Sequence, residues 1–135
     1  MNPIGPVAGL AAFLGIWLGH VAVRKIEASS PSLLLPATVI VCTGVLMEWA
    51  AMTARSTLVS AATGILGMTL LWDALELFRQ ERRVQRGHAP ANPANPRHRR
   101  MLESDRSQAT TCDLLKRDPL GRPIGPEEAI RAVER

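Results

Sequence analysis

The chain has 135 residues, 47% hydrophobic and 21% charged, with a formal net charge of +4. By length it is one domain at most. Only seven of its 28 charged side chains (16 basic, 12 acidic) precede residue 79, and an oily part followed by a charged part excludes a soluble domain and marks a membrane protein.

Residues 4–23 hold no charged side chain, with His20 as their one titratable group. At about 1.5 Å per residue a helix of this length crosses an apolar layer of roughly 30 Å. A signal peptide is the rival reading, but it needs a basic start that this N-terminus lacks. Ala11, Gly15 and Gly19 recur every four residues and make a flat face for close helix approach, expected to serve packing inside one bundle, with an oligomer face as the alternative.

A second span is predicted over residues 32–52, with Ser30 as N-cap and Pro31 at the first helical position. Pro36 then kinks the helix or delays its start. Glu48 lies about three-quarters along this span, beside Trp49. It is read as snorkelling outward, pairing with Arg55 or facing a partner subunit, and it is the isolated intramembrane acid of the chain.

The third span is predicted over residues 56–78, continuing as an exposed helix to about residue 86, where Gly87 and the prolines end it. Ser60 and Gly64 repeat the small-residue spacing, with Gly67 nearby. Asp73 and Glu76 share a helix face and lie, like His20, near the tail-side ends of their spans. A His20–Asp73 or His20–Glu76 hydrogen bond between spans one and three is expected. It reads as a structural polar clamp, or more sharply as a proton or cation site.

Arg79, Arg82, Arg83, Arg86, Arg97, Arg99 and Arg100 follow the last apolar segment. Beside a membrane span such a cluster points to anionic lipid headgroups rather than nucleic acid. Arg24 and Lys25 follow span one, and Arg55 alone separates spans two and three. The positive-inside rule therefore predicts an N-terminus outside and a cytoplasmic tail, with Trp17 and Trp72 toward the inner interface and Trp49 toward the outer one.

Residues 87–100, rich in Pro, Asn and Arg, read as an extended linker. Residues 101–135 read as a polar, mostly disordered tail with a possible short helix over 126–134. The fold class is thus an all-α membrane protein, three transmembrane helices with a basic cytoplasmic C-terminal tail. Cys42 and Cys112 form no CxxC pair, and no phosphate loop, metal-ligand cluster or catalytic triad is present in the sequence, so neither cofactor nor metal is expected.

The run from Leu66-Gly67 through Leu71-Trp72, Glu76-Leu77, Arg83-Val84 and Gly87 to Pro90-Ala-Asn92-Pro93 resembles the bacterial family called domain of unknown function 4491, small three-span membrane proteins. Gly9-Leu10, Phe13-Leu14 and Gly19-His20, with Lys25 and Glu27, are similar to that family's first span and loop. The likeness covers roughly residues 5–96. Val21 stands where the family has proline, and His88 where it has an aromatic residue. The resemblance implies three spans, a bacterial cytoplasmic membrane and roles for His20, Glu27, Trp72 and Glu76. It implies no activity.

Three functions fit the residues. The expected one is a non-catalytic accessory or scaffolding subunit with a protein partner or a second copy of itself. The alternative is an oligomeric minimal transporter using Glu48 or the His20, Asp73 and Glu76 group. A membrane enzyme acting on lipid-like substrate rests on the His-plus-acid group alone.

Overall fold

In a computed structural model that describes residues 2–113, the chain is all-helical. Helix α1 spans Ile4–Ser29, α2 Leu34–Thr53, α3 Thr57–Gln85 and α4 Pro96–Leu102. The first three are long and apolar enough to cross a membrane. They run up, down and up. Helix α3 is central, because both α1 and α2 pack along it.

Close helix approach is set by small residues. A side chain at Gly15 would meet Thr69 Oγ1 at 2.8 Å, and one at Gly19 would collide with the Asp73 carboxylate. With Ala11 also buried, the small face of α1 is covered by α3 within the same chain. On the other side, Gly44 of α2 and Gly67 of α3 oppose one another, each placing its carbonyl oxygen 3.1 Å from where the other's Cβ would stand. Ser60 Oγ donates to the Ala51 carbonyl at 2.8 Å, and Gly64 lies against Ala51. Lipid-sized side chains such as Leu10, Phe13, Leu35 and Leu46 point outward.

The core is not at the middle of the bundle. Val23, Ala37 and Leu77 cluster where α1 ends, α2 begins and α3 approaches its last turns, with Ile26 and Ile40 against them. Below them, α3 buries Asp73, Glu76, Leu77, Gln80 and Val84 on one face at helical spacing. This end is covered by the segment that follows.

Three local expectations change. Helix α1 runs past the predicted span of residues 4–23, carrying Glu27 inward, and ends at Ser29. Ser30 is the C-cap of α1, not the N-cap of α2, which starts at Leu34 with no side-chain cap. Pro36 then falls in the first turn, where a missing N–H costs no helical hydrogen bond. Residues 87–100 are not an extended linker. Gly87, at φ 71°, ends α3 in a left-handed turn, with Gly87 N–H donating to the Val84 carbonyl and His88 N–H to that of Arg83, the paired bonds of a Schellman motif. The chain reverses, and Asn95 accepts from Arg97 N–H to cap α4, with Pro96 at its first position. Within the polar tail, residues 107–110 return to the end of α3, where Gln108 N–H donates to the Gln85 carbonyl and Ala91 N–H to that of Thr110. The short helix expected at 126–134 lies outside the described residues.

Candidate functional site

The densest polar constellation is a clamp closing the tail end of the bundle. Glu27, on α1, is 1% exposed, and His98, on α4, is 0% exposed. His98 Nε2 lies 2.8 Å from Glu27 Oε1. Its Nδ1 accepts the Asn92 backbone N–H at 2.9 Å, so the neutral ring carries its proton on Nε2 and donates it to Glu27. Arg97 reaches the same carboxylate oxygen through Nη2 at 3.0 Å, and Glu81 of α3 through Nη1 at 2.7 Å. One guanidinium thus ties α1 to α3. Asn92 and Asn95 complete the seal: both donate Nδ2–H to the Ala28 carbonyl, and Asn95 also donates to that of Ser30. These are carbonyls that the end of α1 leaves without helical donors.

A second group lies between α1 and α3. Glu76 is held by Arg83 at 2.7 Å and by Arg79 at 3.6 Å, and Gln80 Oε1 accepts from Arg83 at 3.3 Å. Arg79 also stacks on Trp72, 4.6 Å from the ring centroid. His20 and Glu76 line the same hollow of about 240 Å³. Asp73 packs against Gly19. The structure therefore brings His20, Asp73 and Glu76 to one region without the expected hydrogen bond from His20 to either acid, because Glu76 is occupied by arginines and Asp73 is seated on glycine.

Glu48 faces α3 rather than Arg55. Its Oε1 is buried without a hydrogen-bond partner and sits against Gly67, 2.7 Å from the position of a Cβ there. The seven arginines divide. Arg79, Arg82, Arg83 and Arg86 line one hollow. Arg99 and Arg100 are exposed on α4, and Arg97 turns inward onto Glu27 and Glu81. No group of three or more His, Cys, Asp or Glu placed to hold a metal ion occurs among the described residues.

Arg97 belongs to the clamp rather than to the exposed basic cluster, and Glu81, Asn92, Asn95 and His98 are site residues that charge and span patterning do not single out. Asn95-Pro96 is itself a helix-start signal, and it would have placed Arg97 and His98 in a first helical turn.

Three candidate spans with a polar cap locked onto one end define a small multi-pass membrane protein. Residues 2–95 match the family described as domain of unknown function (DUF4491), and the chain belongs to it. No curated protein and no solved structure matches it.

Proposed function

We propose that the protein is a non-catalytic accessory or scaffolding subunit of a complex in the bacterial cytoplasmic membrane, its N-terminus outside and its capped end in the cytoplasm. The observation that supports this is the clamp. The buried polar side chains at the capped end bind one another and the helix end of α1, leaving α4 fixed with Arg99 and Arg100 outward. A chain that spends its buried charges on rigidity presents a shaped surface, and a shaped surface serves recognition. Extraction in mild detergent at native expression, followed by mass spectrometry, tests this. A defined partner set, lost on Glu27→Ala while membrane insertion persists, is expected; a monomer without partners would overturn it.

One observation favours a second reading. The unpartnered buried Oε1 of Glu48 is costly in hydrocarbon, and an oligomeric ion-conducting or transport protein would use such a group. Proteoliposome flux unchanged by Glu48→Gln would dispose of it.

A further inference from the structure

We propose that the basic hollow at the tail end of α3 binds the headgroup of an anionic phospholipid. Arg79, Arg82, Arg83, Arg86 and His88 line a concavity of about 280 Å³. Arg83 and His88 are also walls of the adjoining hollow of about 240 Å³, which adds His20, Arg24 and Glu76. Five arginines therefore meet one carboxylate, and that carboxylate is already taken by Arg83 and Arg79. Arg24, Arg82 and Arg86 have no acidic partner within 4.0 Å among the described residues.

The α3 arginines stand three and four apart on one stripe, where like charges repel. An anion in the hollow relieves that repulsion, and guanidinium groups suit phosphate oxygens. The position selects a lipid phosphate. Arg79 is stacked on Trp72, an amphipathic ring of the kind that settles at headgroup level. A third hollow, about 360 Å³, shares His20 and Arg24 and continues along α1 over Phe13, Ile16, Trp17 and Val21. The arginine hollow and the apolar groove thus both adjoin the middle hollow through shared wall residues, a layout that suits a phosphate joined to an acyl chain. Nucleic acid and soluble phosphate would use the arginines and leave the groove without purpose.

The test is native mass spectrometry of the full chain in detergent, titrated with phosphatidylglycerol and with phosphatidylcholine of matched chains. Phosphatidylglycerol should be retained about tenfold more strongly. Arg82→Ala with Arg86→Ala should weaken it by about 25-fold, roughly fivefold per charge near the surface. Both side chains are exposed and have no ion pair among the described residues, so the described fold is not at risk. The charge-matched pair Arg99→Ala with Arg100→Ala should change it by less than about twofold, since α4 lies outside the hollow. Glycerol 3-phosphate should not displace the lipid. Equal retention of the two lipids, equal loss in both double variants, or displacement by glycerol 3-phosphate would each overturn the assignment.

Discussion

Arg97 satisfies two carboxylates on two helices, and among the described residues no other Lys or Arg lies within 4.0 Å of either. Removing Glu27 therefore leaves Arg97 with Glu81 alone, cuts its tie to the α1 side chain, and takes the acceptor from the buried His98 Nε2–H. Breaking a buried pair from one side costs about 3 kcal/mol or more. Glu27→Ala should release residues 88–102 from the bundle, measured as faster amide hydrogen exchange there while α1–α3 keep their protection. His98 tests the geometry more finely. Its Nε2–H donates to Glu27, and glutamine can place an amide donor at that reach. His98→Gln should therefore lose about 1 kcal/mol less than His98→Ala, which leaves both Glu27 and the Asn92 N–H short of a partner. Equal melting temperatures for the two variants would mean that the hydrogen bond to Glu27 contributes nothing.

Helix contacts are decided by backbone proximity, and the glycines rank themselves. At Gly67 a methyl group would stand 3.1 Å from the Gly44 carbonyl and 2.7 Å from Glu48 Oε1, whereas at Gly64 the nearest atom is Ala51 Cβ at 3.6 Å. A backbone carbonyl cannot yield without moving its helix. Gly67→Ala should destabilise the bundle by about 1–3 kcal/mol and Gly64→Ala by much less, read from thermal unfolding in detergent. The spans themselves were legible because long stretches with almost no charge announce a membrane helix regardless of partners. The faces of Gly15 and Gly19 were legible from spacing alone, as was the end of α3 at Gly87. The Gly44–Gly67 crossing was not, because Gly44 stands alone in α2 and Gly67 falls outside the four-residue spacing of Ser60 and Gly64, so only three-dimensional register pairs them. The clamp was hidden for a related reason. A proline-rich stretch is read as extended when nothing is known of what lies against it, and the carbonyls that Asn92 and Asn95 satisfy are more than 60 residues away in sequence.

Taken whole, the molecule puts its buried core, its clamp and its arginines at one end, and leaves a short Arg55 turn at the other. That asymmetry is what the positive-inside rule acts on, since translocating the Arg79–Arg86 stripe is opposed far more than translocating one arginine. The clamp reinforces it. Once Glu27 and Arg97 have paired, the α1–α2 connection and the tail are joined and cannot be separated across a membrane. Both must lie on one side, which in the proposed topology is the cytoplasm. A single cysteine placed at either end reads this out. With Cys42→Ser and Cys112→Ser as background, Arg55→Cys should react with a membrane-impermeant maleimide in intact spheroplasts. Ser104→Cys, on an exposed turn after α4, should react only after permeabilisation. The reverse pattern would put the cap outside, and labelling of both in intact spheroplasts would mean that the chain inserts in two orientations. In either case the arginine stripe would not be what fixes the topology.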